Sequence, residues 1–330
     1  MLKITIAMKK ITVIIPTMNC EKDLEECMIA LKNQKFRDFE ILVVDGHSKD
    51  NTVGIAKKYG AKVIFDEGAT RASACNRALE NVSTPYIAFT DADCLPPPNW
   101  LERIIEDFEE NDVASVGGAN FSPDSDNDFA KCVDIVYSSR FVTGTARYGK
   151  VYNEITEIEH NPGCNSAYNM KFIEGIKFDE SLPTAEDVVF DYEIRKRGGK
   201  IIFDPNIGMP HKRRNNLKGF WKQIYRYGLG RAIANKKYKE LASIFHVLPS
   251  IAIILLPIYI IFSIIFWIFF SPVFLYLLFA LLLSYFLLCL YGSATSYSRY
   301  KNVRRIIKAA FLIPVAHLAW GIGYIKGMRK

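Results

Sequence analysis

Two uninterrupted apolar stretches constrain this chain more than any other feature. Val247 to Phe270 runs for 24 residues without a charge, and Pro272 to Tyr291 adds 20 more. Each is long enough to cross a hydrocarbon core as a helix, which takes about 20 residues. Only Ser271-Pro272 marks the join, so the pair predicts a tight helical hairpin. Behind it come Arg299, Lys301, Arg304, Arg305 and Lys308, and the segment before it is equally basic. The positive-inside rule then places both flanks in the cytosol. A third apolar run, Ala309 to Ile325, has 17 residues and contains Pro314 and His317. It reads as a third span, with a re-entrant or interfacial course as the alternative.

Charge divides the chain in the same place. Up to Pro205 there are 24 Lys+Arg against 34 Asp+Glu, and beyond it 18 against one, Glu240. An acidic soluble module followed by a basic membrane module is expected. Leu217 to Lys239 lies between them, with Leu217, Phe220, Trp221, Ile224 and Tyr225 at helical spacing and Lys218, Lys222, Arg226 and Arg231 interleaved. That pattern suits a helix lying in a headgroup layer, with a surface helix of the soluble module as the rival. A nucleic-acid partner is disfavoured, because the basic residues adjoin membrane spans and the preceding module is acidic. The seven cysteines are scattered, odd in number and form no CxxC pair, so the sequence supports neither a disulfide framework nor a zinc site and fits a reducing compartment. MLKITIAMKK has no apolar run suited to a secretory leader, so the soluble module is expected in the cytosol. The expected parts are a soluble domain over 1–210, a basic interfacial segment over 211–245 and a membrane part over 246–330. The helices of the last part run over about 247–270, 272–291 and 309–325.

Within the soluble module, strands alternate with helices. Ile11 to Ile15 is a β-branched apolar run ending at Pro16, as in a strand buried on both faces. Glu40 to Val44, Lys62 to Phe65 and Tyr86 to Thr90 read as further strands, with helical patterns between them. This predicts an α/β fold with a mostly parallel, Rossmann-like sheet, whose ligand site lies beyond the carboxyl ends of its strands. Pro16-Thr17-Met18-Asn19, Asp45-Gly46-His47-Ser48 and Asp91-Ala92-Asp93 occupy those positions. No GxGxxG or GxxxxGK[ST] loop follows the first strand, which disfavours dinucleotide oxidoreductases and P-loop NTPases. Asp91 and Asp93 stand at i and i+2 on a strand end, where both carboxylates can face one ion; a hard cation such as Mg²⁺ is held in this way together with substrate phosphates. Against this, Asp before Pro96-Pro97-Pro98 is also ordinary turn chemistry.

Taken in order, ITVIIPTMN, EILVVDGHSKDNT, GATRASACNRAL and YIAFTDADCLPPPNWL resemble the nucleotide-sugar-binding half of the inverting glycosyltransferase family 2, which has the GT-A fold. The resemblance covers roughly residues 9–235. It implies that Pro16, Thr17 and Asn19 border the nucleotide, that Asp45 meets base or ribose, and that Arg71 lies near the diphosphate. It also implies that Asp91 contacts the donor and that Asp91 and Asp93 are the metal-binding DxD, with Mg²⁺ or Mn²⁺ as cofactor. Met18 departs from the aromatic residue common there, and His47 from the usual small residue.

Farther on, NPGCNSAY (Asn161 to Tyr168) resembles the family's Gly-rich segment lining the sugar pocket, with Cys164 and Asn165 as polar lining. Thr184-Ala185-Glu186-Asp187 resembles the ED motif, which implies Asp187 as catalytic base and Glu186 at the substrate. A capping box from Thr184 to Asp187 would explain the same residues structurally. His211 is a candidate third metal ligand, because a late His completes the site in several GT-A enzymes. Gln223 and Arg226 resemble the QxxRW motif of processive members and are carried as substrate contacts, although Tyr227 replaces the Trp and too few spans follow for polymer extrusion.

The resulting expectation is an integral membrane glycosyltransferase whose catalytic domain faces the cytosol. It would move a sugar from a nucleoside-diphosphate donor to a membrane lipid or lipid-linked glycan. A polyprenyl-phosphate sugar synthase is the alternative, and a nucleotidyltransferase or a non-enzymatic scaffold the more distant ones.

Overall fold

The computed structural model describes residues 9–68, 70–143, 153–296 and 300–330. Ala69 and Arg299, counted in the motifs above, lie outside these. The chain divides into two compact units, Met1–Pro123 with Arg147–Lys212, and Asp124–Ala146 with Arg213–Lys330.

In the first unit the strands are β1 (Ile11–Thr17), β2 (Phe39–Asp45), β3 (Lys62–Phe65), β4 (Tyr86–Phe89), β5 (Ser115–Gly117), β6 (Asn120–Phe121), β7 (Thr156–Glu157), β8 (Ser166–Asn169), β9 (Ile201–Phe203) and β10 (Met209–Pro210). Its principal helices are α1 (Glu21–Lys32), α2 (Thr52–Lys58), α3 (Arg71–Leu79) and α4 (Trp100–Glu110). Eight strands form one sheet in the order β3-β2-β1-β4-β8-β5-β9-β7, and β10 and β6 form a second, two-stranded one. The β3-β2-β1-β4 half is parallel as expected. Beyond β4 the sheet is mixed rather than parallel: β8 runs antiparallel to both β4 and β5, and β7 antiparallel to β9. This reversal puts the start of β8, and the Gly-rich turn before it, at the edge where β4 ends.

β1 is buried on both faces, and its period-two pattern sorts its residues between two cores. Ile11, Val13 and Ile15 pack with Val43, Ala88, Leu24, Met28 and Trp100 on one side. Ile14 packs with Leu42, Val44, Phe89, Phe190 and Phe203 on the other. Truncating one such side chain, as in Ile14→Ala, costs about 2–5 kcal/mol. Thr12 is a polar residue inside this strand, and its hydroxyl is met by Thr84 Oγ1 at 2.8 Å and Glu40 Oε1 at 2.9 Å.

The second unit holds α5 (Asp128–Ser138), α6 (Arg140–Thr143), α9 (Leu217–Lys237), α10 (Ile244–Phe269), α11 (Val273–Ala294) and α12 (Val303–Met328); the intervening α7 (Met170–Ile173) and α8 (Glu186–Lys196) belong to the first. Among the described residues three helices, α10, α11 and α12, are long and apolar enough to cross a membrane. The first two form the expected hairpin, α10 starting three residues earlier than its uncharged run. Their apolar windows are 6% buried, against 44% for α12. The difference arises because α12 packs on α9 through glycines: a Cβ on Gly323 would lie 2.1 Å from the Tyr225 carbonyl oxygen, and one on Gly228 2.2 Å from that of Trp320. Small residues let two helix backbones approach in this way. The stripe expected to face headgroups is divided: Phe220 is buried against Phe129 and Tyr137 of α5, Ile224 is buried too, and Leu217 is exposed. Asn216 caps α9 by accepting from the Gly219 N–H at 2.9 Å.

One buried carboxyl group in the first unit makes stability depend on pH. Asp107 on α4 has no exposure, and neither of its oxygens has a hydrogen-bond partner among the described residues. Burial, then the neighbouring Asp204 carboxylate, pushes it up to about 7 against the pull of Arg103. The folded chain therefore keeps a proton that the unfolded chain releases near pH 4. Stability from this group is full at acid pH and is lost as pH rises through about 4 to 7. Asp107→Asn should flatten that slope and raise stability at pH 8 by about 1–3 kcal/mol. Apparent Tm of both proteins in detergent at pH 5 and pH 8 checks this; an unchanged difference between the two pH values would contradict it.

Candidate active site

The carboxyl ends of β1, β2 and β4 lie together, and the loops that leave them are tied to each other. Asp45 is fully buried at the end of β2. Its carboxylate accepts from Thr17 Oγ1 at 3.0 Å, from the Ser48 N–H at 2.8 Å and from Ser48 Oγ at 2.6 Å. Asn19 sits in the left-handed region at φ 51°, where its side chain accepts from the Lys49 N–H at 2.8 Å while its own N–H donates to Ser48 Oγ at 2.8 Å. An Asn tolerates that conformation better than most residues. Asp45 thus clamps two loops inside the protein, and Pro16, Thr17 and Asn19 gather at this edge. His47, also left-handed at φ 61°, is exposed, stacks on Phe65 at 5.3 Å and meets Glu67 Oε1 at 3.0 Å.

Arg71 opens α3, whose start is fixed by a reciprocal capping box between Thr70 and Ser73. Its guanidinium joins three segments distant in sequence. Nε and Nη2 each lie 3.3 Å from Asp91 Oδ1, Nη2 donates to the Gly163 carbonyl at 2.9 Å, and Nη1 to Glu186 Oε1 at 3.2 Å. Burial works against this charge, but Asp91, Glu186 and Asp187 among its neighbours hold the group protonated. Asp91 and Glu186 are each pushed above the usual carboxylate range by burial, with Arg71 opposing.

His211 arrives by a separate route. β10 pairs with β6, and its chain then runs antiparallel to the segment after Asp91, where a bridge joins His211 to Cys94. The Lys212 N–H donates to the Asp93 carbonyl at 2.9 Å, and His211 Nε2 lies 3.1 Å from Asp93 Oδ1. Burial disfavours the imidazolium, while Asp93 and Cys164 raise His211 well above its ordinary range. One ligand atom from each of Asp91, Asp93 and His211 lies within 4.8 Å of the others. Two carboxylates and an imidazole, crowded where burial makes an uncompensated Asp91 costly, fit a divalent cation of the Mg²⁺ or Mn²⁺ class.

Asp187 is in the first turn of α8. The expected capping box is not the device there: the N-cap is Ala185, left-handed at φ 70° and without a side-chain cap. Instead Asp187 Oδ1 accepts the Val188 N–H at 2.8 Å and Oδ2 the Gly163 N–H at 3.1 Å. Gly163 leaves room for this contact: a Cβ there would lie 2.8 Å from Asp187 Oδ2 and would displace the carboxylate. Next to it is an array that the motifs did not reveal. His160 Nε2 is 3.8 Å from Asp187 Oδ2, and His160 Nδ1 is 2.9 Å from Asp191 Oδ2. Tyr168 Oη donates to Asp191 Oδ1 at 2.9 Å and the Asn161 N–H to its Oδ2 at 3.1 Å. Burial raises Asp191 in spite of these partners. The available signal was Asp191 itself, an acid one helical turn after Asp187 and thus on the same face.

Asn165, expected to line the sugar pocket, is not brought to the cleft. It is fully buried, accepts from Trp100 Nε1 at 2.8 Å and donates to the Ala119 and Ile207 carbonyls at 3.2 and 3.0 Å, so it braces the Gly-rich turn from behind. Gln223 and Arg226 are carried by α9 in the second unit, where Gln223 Oε1 accepts from Tyr137 Oη at 2.9 Å.

The glycosyl transferase family 2 profile matches residues 12–176, and the chain belongs to that family. It is 28% identical over 250 residues to the dolichyl N-acetyl-alpha-D-glucosaminyl phosphate 3-beta-D-2,3-diacetamido-2,3-dideoxy-beta-D-glucuronosyltransferase of Methanococcus voltae, covering 70% of this chain and 75% of the relative. Over 116 residues it is 34% identical to glycosyltransferase AglE of Haloferax volcanii, covering 33% of this chain and 38% of that protein. The mannosyltransferase PcManGT from Pyrobaculum calidifontis, solved with GDP-Man and Mn²⁺, superposes with a TM-score of 0.60 over 94% of this chain and 86% of its own, at 18% identity. The fold is therefore GT-A, and the protein is a glycosyltransferase with three C-terminal helices apolar enough to cross a membrane.

A cation at Asp91, Asp93 and His211 predicts metal-dependent nucleotide binding. Asp93→Asn should weaken binding of UDP or GDP in Mn²⁺ by about 10- to 100-fold while the chain still folds, because Asp93 lies in the turn beyond β4 and outside the apolar cores. EDTA should do the same to the wild type. Titration calorimetry with and without Mn²⁺ measures both, and undiminished Mn²⁺-dependent binding in an Asp91→Asn, Asp93→Asn double variant would remove the site.

Proposed function

We propose that this protein is an inverting glycosyltransferase that uses a nucleoside-diphosphate sugar and a divalent cation to glycosylate a hydroxyl on a membrane-associated, lipid-linked acceptor. The observation that carries this reading is the single connected array Asp91–Arg71–Gly163–Asp187. It joins a diphosphate and cation site to a carboxylate held by a backbone N–H. A cation bound by Asp91, Asp93 and His211 would neutralise charge developing on the leaving diphosphate. Arg71 would add a fixed positive charge beside the same phosphates. Asp187 would accept the proton of the attacking hydroxyl, and Glu186 would keep Arg71 oriented at the donor. Pro16, Thr17 and Asn19 would border the nucleotide, with Asp45 shaping their loop.

Asp187 is suited to this role by its placement: in the first turn of α8 its Oδ1 accepts the Val188 N–H and its Oδ2 the Gly163 N–H, which fix the carboxylate in one orientation. His160, oriented by Asp191, stands beside it as a second proton-binding group. Transfer to a lipid phosphate would need no such base, so the array favours a hydroxyl acceptor over a polyprenyl-phosphate sugar synthase. A lipid-linked acceptor is supported by the name of the Methanococcus voltae relative and by the apolar helices of the same chain. Residues 1–210 would be the catalytic domain, 211–245 a basic segment at the headgroups, and 246–330 the membrane part. The catalytic domain would face the cytosol, since α10 and α11 are flanked by basic residues on both sides.

Two measurements test this. Asp187→Asn keeps side-chain size and one acceptor oxygen, so it should bind Mn²⁺ and nucleotide normally and lose transfer by about 10²- to 10⁴-fold. The assay uses labelled donors with prenyl-phosphate-linked sugars and with endogenous lipid; near-wild-type turnover would refute the base and favour a lipid-phosphate acceptor. For topology, a protease site at Ser296 should be cut from the cytosolic side and one at Ser271 from the opposite side. A cytosolic Ser271 would overturn the hairpin.

A further inference from the structure

Cysteine plays no part in the proposed chemistry, yet two buried thiols stand behind the metal site. Cys94 directly follows Asp93 and has no exposure; Cys164 follows Gly163 and is 5% exposed. The His211 ring lies between these sulfurs and the carboxylates. Its Nε2 is 3.1 Å from Asp93 Oδ1, and its Nδ1 is 3.5 Å from Cys164 Sγ. Donor atoms of Cys94, Cys164 and His211 all fall within 4.8 Å of one another, a second cluster that shares only the histidine with the first. Asn120 Nδ2 also points at Cys164 Sγ, at 3.2 Å.

We propose that Cys94, Cys164 and Nδ1 of His211 form a site for a thiophilic divalent cation such as Zn²⁺, whose occupation withdraws His211 from the carboxylate site. Donor type separates the two clusters, sulfur and nitrogen suiting Zn²⁺ and carboxylate oxygen suiting Mg²⁺ or Mn²⁺. Geometry agrees: Zn–S near 2.3 Å and Zn–N near 2.0–2.1 Å at a tetrahedral angle put sulfur and nitrogen about 3.5 Å apart. The observed Cys164–His211 separation is 3.5 Å. Charge agrees too. Each thiol releases its proton to solvent as its sulfur binds the ion, so two thiolates and one dication leave no net charge in the buried pocket.

Exclusion follows from the imidazole. A neutral ring has one lone pair and one N–H. With Zn²⁺ on Nδ1, the proton is on Nε2 and is donated to Asp93, the carboxylate–histidine–metal arrangement common at zinc sites. With a hard cation on Nε2, the proton is on Nδ1 and faces Cys164. One ring serves one cluster at a time.

The exclusion half rests on the proposed role of Asp91, Asp93 and His211; the binding half does not. Full-length protein purified in detergent and stripped of metal is titrated with Co²⁺ as the spectroscopic probe. A thiolate-to-cobalt charge-transfer band saturating at one ion per chain, bleached by Zn²⁺, is expected; Cys94→Ala and Cys164→Ala should each abolish it, and Asp91→Asn should keep it. Absence of the band, or its survival in the double cysteine variant, overturns the site. In the second arm one equivalent of Zn²⁺ should weaken Mn²⁺-dependent UDP or GDP binding about tenfold or more in the wild type, and leave folded Cys94→Ala unaffected. Equal weakening in Cys94→Ala would mean Zn²⁺ competing at the carboxylates, and would overturn the exclusion. Loss of all Mn²⁺ dependence in the wild type would instead overturn the carboxylate site, with the cobalt band still deciding the thiol site.

Discussion

The candidate site depends on one guanidinium. Arg71 reaches Asp91, Glu186 and the Gly163 carbonyl together, three points that lie up to 115 residues from it in the chain. A rigid fork with five donors can hold such an arrangement where a flexible ammonium would not. Removing this charge would leave partly buried carboxylates facing each other, which costs more than the ion pairs themselves contribute. The capping box that opens α3 and the short loop after β3 bring the side chain there, so ordinary helix-start chemistry supplies the central group of the site.

Around that fork, most polar side chains hold other polar groups in place. Asp45 binds loops, Asn165 braces a turn through Trp100, and Asp191 fixes His160 beside Asp187. Buried networks of this kind confer rigidity to the extent that their polar groups are satisfied, because an unmet one is costly. Reactive geometry needs such support, because a carboxylate left to rotate would lose the alignment that gives a base its effect. The second unit relies on a different principle. Its α9–α12 contact is made by glycines that allow backbone to meet backbone, while α10 and α11 keep Leu, Ile and Phe on their surfaces. Such surfaces suit lipid, which offers no competing hydrogen bonds and little incentive for the helices to bury them.

Much of the molecule was legible in the residues alone. The uncharged runs define α10 and α11 to within a few residues because hydrocarbon thickness leaves little choice of length. The β-branched run at Ile11 to Ile15 marks the central strand, and motifs after successive strands must meet at one edge because parallel strands end on the same side. The sequence by itself therefore determined the elements, the edge and the membrane-length helices, which follow from local periodicity and spacing; the DxD and ED carboxylates were singled out only by resemblance to a family. Only the tertiary structure decided the antiparallel β8, the burial of Asn165, the delivery of His211 through the β10–β6 pair, and the His160–Asp191 support for Asp187. Those features depend on strand order and on hydrogen bonds between residues far apart in the chain, and no local pattern encodes which distant partner will satisfy a buried polar group.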